Sequence, residues 1–183
     1  MSNTALVLVD IQNDYFPGGT WTLVGQEQAA QQASRLLEHF RAQENPVFHV
    51  RHIAASAEAP FFVKGTAGSE IHTSVAPLEN EQVIIKSDIN SFKNTDLLQA
   101  LKEQDVSKLV IVGSMVHLCI DAVTRAAADY GFSCIVAEDA CATLDLEFNG
   151  KTVSAAQVQA SFMSALAFAY AEVLPTDEVL TRI

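Results

Sequence analysis

Six short apolar runs recur along the chain: ALVLV at 5–9, PVFHV at 46–50, QVIIK at 82–86, KLVIV at 108–112, SCIVA at 133–137 and AEVLP at 171–175. They are rich in β-branched residues and do not alternate with polar ones, the pattern of strands covered on both faces in a parallel sheet. Between them, apolar residues recur at helical spacing. GQEQAAQQASRLLEHFRAQ sets Ala29, Ala33, Leu36, Leu37 and Phe40 on one side, and DLLQALKEQ repeats Leu97, Leu98 and Leu101. HLCIDAVTRAAADYG, stopped by Gly131, and VSAAQVQASFMSALAFAY predict two further helices. Strands alternating with helices imply right-handed crossovers and a three-layer α/β/α fold, expected as one domain over residues 1–183.

Two long segments interrupt the alternation: 11–25, with Pro17, Gly18 and Gly19, and 54–81, with Gly65 and Gly68. Loops of that length in a compact domain are usually functional.

Composition narrows the class. The apolar fraction of 49% suits a soluble globular chain, and no run approaches the roughly 18–20 residues of a membrane span. The start MSNTALVLVDIQND has no basic segment, and Asp10 interrupts its apolar run, so a cytoplasmic location is expected. Twenty-two acidic against eleven basic residues give a net charge of -11, which repels phosphate backbones and anionic lipid, so neither nucleic acid nor membrane is an expected partner. Cys119, Cys134 and Cys141 form neither an even set nor a CxxC pair, as in a reducing compartment.

In an open parallel sheet, ligands bind beyond the carboxyl ends of the strands, where the strand order reverses. Asp10 follows the first run, Lys86 ends the third, and Cys119 stands shortly after the fourth. Singly, Asp10 reads as a turn residue, Lys86 as a solvated strand end and Cys119 as a small buried hydrophobe. Together they read as chemistry. A thiol in the first turn of a helix, near an ammonium, is expected to be a thiolate at neutral pH, and a carboxylate beside it can take and return a proton.

The blocks VDIQNDYFPGG, the strand ending in Lys86 with SDINSFKNTDL after it, VIVGSMVHLCIDAVTRAAADYGF and VAEDACAT resemble the isochorismatase-like cysteine hydrolases, the superfamily of nicotinamidases and N-carbamoylsarcosine amidase. The likeness runs from about residue 5 to residue 175. It implies a Rossmann-like, six-stranded parallel sheet in order 3-2-1-4-5-6 and a catalytic triad of Asp10, Lys86 and Cys119. It also implies an oxyanion hole from the backbone N–H groups of Met115 and Cys119, with a cis peptide between Ser114 and Met115. The implied enzyme is a hydrolase without cofactor that cleaves an amide or ureide C–N bond of a small molecule through a thioester. Relatives assemble as dimers and higher oligomers, and ASFMSALAFAY offers apolar surface beyond one helix face, so a homo-oligomer, dimer or tetramer, is expected.

Three departures refine this expectation. Nicotinamidases carry a metal site of an aspartate and histidines after the second strand. This chain reads FHVRHIAASAEAPFF there, with His49, His52 and His72 at hand but no aspartate, so no metal is expected. Members that cleave the vinyl ether of isochorismate typically lack the cysteine, so Cys119 favours C–N chemistry. Val116 stands where a threonine is usual. His49 reads as a core histidine, while His52 and His72 are pocket candidates or surface groups. Tyr15, Phe16, Trp21 and Phe92 are candidates for the pocket wall, or plain core. Asp139 and Glu70 read as loop anchors, Cys134 and Cys141 as structural thiols, and Asn94 or Thr95 as a helix cap. The competing readings are an ether hydrolase with Asp10 as acid, or a non-catalytic member of the fold. A nucleotide- or flavin-binding module finds no GxGxxG or GxxxxGK[ST] loop after the first strand.

Overall fold

The computed structural model describes residues 3–183; Met1 and Ser2, which begin the expected domain, lie outside the described residues. β1 (Thr4–Val9) is buried along its whole length. Ala5, Val7 and Val9 face one half of the core and Leu6 and Leu8 the other, so a helical layer covers each face and the run has no polar alternation. α1 (Gln26–Ala42) packs on the second face through Ala29, Ala33, Leu36, Leu37 and Phe40, the stripe its periodicity predicts. Next come β2 (Val47–His52), β3 (Gln82–Lys86), α2 (Leu97–Glu103), β4 (Lys108–Ser114), α3 (Asp121–Asp129) and β5 (Ser133–Ala142). After them β6 (Leu146–Phe148) and β7 (Lys151–Val153) form a hairpin, and α4 (Ala155–Ala169), β8 (Glu172–Leu174) and α5 (Thr176–Leu180) complete the described chain.

The main sheet runs β3-β2-β1-β4-β5-β8, with every pair parallel. Counting only its own strands, this is the expected order 3-2-1-4-5-6. From β1 the chain proceeds outward to β3, then crosses back to β4, so the order reverses between β1 and β4. Register brings the relevant strand ends level: Val9 pairs with Val50 and with Gly113, and His52 pairs with Lys86. Gly113 is required there, since at φ 123° a Cβ on it would lie 2.0 Å from the Val9 carbonyl oxygen.

Three elements depart from expectation. The β6–β7 hairpin was not predicted, although Asn149 (φ 51°) and Gly150 (φ 72°) form the Asn-Gly turn that marks such hairpins. α5 was also missed. Regular α3 begins only at Asp121, because residues 116–120 form a wide turn in which the Ile120 N–H reaches back to the Met115 carbonyl at 3.1 Å. Among the described residues, no helix is long and apolar enough to cross a membrane.

Candidate active site

The rim of the sheet gathers four side chains. Asp10 follows β1 in a left-handed conformation (φ 53°), which an aspartate tolerates better than most residues, and its N–H is held by the Val50 carbonyl at 2.9 Å. The turn leaves its carboxylate wholly buried, with Oδ2 2.7 Å from Lys86 Nζ. The other side-chain partner of this carboxylate is the Cys119 thiol.

Lys86 ends β3 and is only 2% exposed. Besides Asp10, its Nζ lies 3.2 Å from His52 Nδ1, 3.2 Å from Cys119 Sγ, 3.2 Å from the Asp88 carbonyl and 3.3 Å from that of Ile89. The loop after β3 thus curls back to cap the ammonium with its own carbonyls. Burial acts to lower the lysine pKa, but Asp10 and Cys119 outweigh it, and the group is held above its ordinary value as a permanent cation.

Cys119, 3% exposed, sits on the wide turn before α3. Burial is the largest influence on its thiol; the charge of Asp10 and a hydrogen bond to it act the same way, Lys86 opposes them, and the pKa is pushed up to about 12. The expectation of a thiolate at neutral pH is therefore corrected. The thiol precedes the regular helix, and the neighbouring carboxylate favours keeping the proton on sulfur. In the resting site Cys119 is a neutral thiol beside an acceptor.

His52, the last residue of β2, is locked by a residue the sequence reading passed over. Gln12, wholly buried, accepts from the His52 N–H at 2.8 Å and donates to the His52 carbonyl at 2.9 Å and to that of Ser69 at 2.8 Å. A buried amide in a turn-like segment costs free energy unless every bond is made, and here it ties both long loops to the sheet. Asp14, beside it, accepts from the Phe62 N–H at 2.7 Å and packs under Gly68, where a Cβ would fall 2.0 Å from its Oδ1.

The other pocket candidates divide. Tyr15 is buried against Phe62 (centroids 4.6 Å apart), and burial first, then Asp10, Cys119 and Asp14, hold its phenol neutral. Phe92 packs in the core cluster that holds Cys119 and lies against Tyr130. Phe16 and His72 stack on each other at 3.7 Å, and His72 Nδ1 bonds the Ser74 hydroxyl. Trp21 lies on the rim, 37% exposed, against Phe61. The Ser114–Met115 peptide is cis, and Ser114 Oγ donates to the buried Gln26 Oε1 at 2.7 Å. The Met115 carbonyl accepts from the N–H groups of Leu118 and Ile120.

The ligating atoms of Asp10, His52 and Cys119 lie within 4.8 Å of one another, a set that would suit a divalent cation. Lys86 Nζ stands among them, however, and supplies the positive charge itself. The three histidines of the loop region do not converge either: His49 bonds Glu81, His52 faces Lys86 and His72 bonds Ser74. The donor set does not fit a metal. Asp139 anchors the start of α5, accepting from the N–H and hydroxyl of Thr176. Glu70 pairs with Arg51. The N-cap of α2 is Asp96 and not the expected Asn94 or Thr95; Thr95 Oγ1 accepts from the Leu97 N–H, and Asn94 donates to Asp88.

Comparison with known proteins fits this geometry. The Isochorismatase domain model matches residues 4–167. An isochorismatase family protein of Bacillus subtilis strain 168, YddQ, is 51% identical over 177 residues, covering 97% of this chain and 98% of that one. A streptothricin hydrolase of Streptomyces noursei is 30% identical over 145 residues, 78% of this chain and 55% of that one. A solved structure described as an isochorismatase hydrolase from Oleispira antarctica superposes with a TM-score of 0.96 at 58% identity, covering 98% of this chain and 97% of that one.

Proposed function

The chain belongs to the isochorismatase family of hydrolases, and we propose that within it the protein cleaves a C–N bond of a small amide or ureide with Cys119 as nucleophile. One observation carries the reading: Asp10 Oδ2, Lys86 Nζ and Cys119 Sγ form a buried chain of contacts of 2.7 and 3.2 Å at the point where the strand order reverses. The streptothricin hydrolase among the relatives supports it.

The resting charges define the steps. Asp10 takes the proton of the Cys119 thiol as Sγ attacks the carbonyl carbon, so negative charge passes from carboxylate to sulfur beside one fixed ammonium. The net charge of the buried group does not change, which keeps the desolvation cost of the transfer low. The N–H groups of Met115 and Cys119 receive the oxyanion. As the tetrahedral adduct collapses, Asp10 returns the proton to the departing nitrogen and a thioester remains. Water then attacks the thioester, Asp10 accepts its proton, and the acid leaves as the thiol is restored. Lys86 stays protonated throughout.

The same reading assigns the enzyme to the cytoplasm, where the free thiols Cys119, Cys134 and Cys141 stay reduced. It expects a homo-oligomer joined through the uncharged outer face of α4, where Phe168 is 92% exposed. The test is a panel of small primary amides and ureides scored for ammonia release, with intact mass measured during turnover. An acyl adduct on Cys119, lost in Cys119→Ala together with ammonia release, is expected. Full turnover by Cys119→Ala would remove the cysteine from the chemistry and overturn the reading.

A further inference from the structure

Lys86 has more acceptors than protons. An ammonium donates three hydrogen bonds, yet five acceptor atoms lie within 3.3 Å of Nζ: Asp10 Oδ2, His52 Nδ1, Cys119 Sγ and the carbonyls of Asp88 and Ile89. Its position is therefore a balance, and any acceptor that changes state moves it.

We propose that His52 is a positioning residue for Lys86: its neutral imidazole draws the ammonium into place against Asp10 and Cys119, and its protonation ejects it, so that the site carries an acid-sensitive latch. The inference rests on the reading of Cys119 as nucleophile.

The geometry fixes the tautomer. An ammonium has only donors, so His52 Nδ1, 3.2 Å away, must be the bare nitrogen and Nε2 must carry the proton. Gln12 grips the His52 backbone on both its N–H and its carbonyl, and Phe62 lies against the ring at 5.8 Å. The register pairs His52 with Lys86 across β2 and β3. In acid both ring nitrogens become donors, and the Nδ1–H would point at Nζ across a hydrogen-bond distance, so one of the two cations must withdraw.

Four ionisable groups face the ring: Lys86 from β3, Asp10 from the end of β1, Asp88 from the loop after β3 and Cys119 from the turn before α3. Burial and Lys86 oppose protonation and outweigh Asp10 and Asp88, which holds His52 below the ordinary imidazole value. The latch is thus closed at neutral pH and opens only in acid.

The experiment follows iodoacetamide alkylation of Cys119 in the full chain from pH 5 to 9 by peptide mass mapping. Cys134 and Cys141, also buried, serve as internal standards for structural opening. In the wild type the logarithm of the Cys119 rate should rise by about one per pH unit from thiol ionisation, and more steeply where His52 titrates. His52→Asn, whose amide oxygen can replace Nδ1 as acceptor without titrating, should keep the rate at pH 8 within about threefold and lose the steep region. His52→Leu, which cannot accept, should lose about tenfold or more at pH 8, the scale on which such supporting contacts act. His52→Gln repeats the comparison if the asparagine variant folds poorly, and thermal melts check the fold of each. A steep region retained in His52→Asn or His52→Gln, or a wild-type rate in His52→Leu, overturns the latch and leaves the nucleophile standing. A wild-type Cys119 no faster than Cys134 and Cys141 overturns the nucleophile and the latch with it.

Discussion

His49 and His52 lie on the same strand, yet one faces a carboxylate and the other an ammonium. Around His49, Glu81 accepts from Arg41 Nε at 2.7 Å and Nη2 at 2.8 Å, from the Leu78 N–H at 2.8 Å and from His49 Nε2 at 2.9 Å. Burial works against the Glu81 charge, but Arg41, Leu78 and His49 outweigh it and hold the carboxyl at about 2. Around His52 the account does not close. Asp10 meets the Lys86 ammonium and the Cys119 thiol, and Lys86 is shared among five acceptors. Both clusters are buried and charged. The Glu81 carboxylate has its charge fully paired, although His49 Nδ1 is buried without a hydrogen-bond partner among the described residues, while the rim ammonium has more acceptors than protons.

The sharpest break of this comparison is chemical. On whichever amide the panel identifies, Cys119→Ala should lower kcat/KM by at least about 10³-fold, as removal of a nucleophile does, while the melting temperature moves little. Substitution in the Glu81 cluster should do the reverse. Glu81→Gln should cost about 2 kcal/mol, below the usual loss for a broken buried pair because Arg41 is 27% exposed and can rehydrate, with kcat per folded molecule unchanged. Urea titrations of both variants beside their kinetics decide the point. If Glu81→Gln lost activity at full stability, the division between the clusters would be wrong.

A smaller effect sharpens the contrast. If the rim pair costs stability for the sake of function, replacing both charges together should not destabilise. Asp10→Asn combined with Lys86→Met should be inactive yet as stable as the wild type, or more stable by about 1 kcal/mol, as found when buried ion pairs give way to neutral groups. A loss above about 2 kcal/mol in urea denaturation would show that the rim pair stabilises the fold as the Glu81 cluster does.

The sequence made these two regions unequally legible. The strands could be read because both of their faces are covered, and Asp10 and Lys86 could be read because a parallel sheet puts its chemistry at strand ends. The state of Cys119 was misjudged because the chain displays its charged neighbours but not its burial, nor that regular helix begins two residues after it. Phe16 and His72 stack across two loops far apart in sequence, a pairing that no periodicity encodes. Gln12 could have been flagged inside the DIQND block, where a long amide between apolar and acidic residues needs partners if buried. The Asn149-Gly150 turn was plainly written and passed over.

The slightest effect separates the clusters by pH. His49 and His52 are both held below the ordinary imidazole value, chiefly by burial. The unfolded chain therefore takes up protons below about 6.5 that the folded chain refuses, and stability falls as pH drops through that value. Glu81 has its folded pKa depressed to about 2 from 4.5, so its contribution is present above 4.5 and is lost as pH falls from there toward 2. The wild-type melting temperature should decline in two stages, first below pH 6.5 and then below pH 4.5, at about 2–4 °C for each kcal/mol in a chain of this size. Glu81→Gln should flatten the second stage. His52→Asn should reduce the first and leave the second, because its imidazole belongs to the rim and not to the Glu81 cluster. If Glu81→Gln melted with the full wild-type decline between pH 4.5 and 2, the Glu81 cluster would lose its claim to be the structural one.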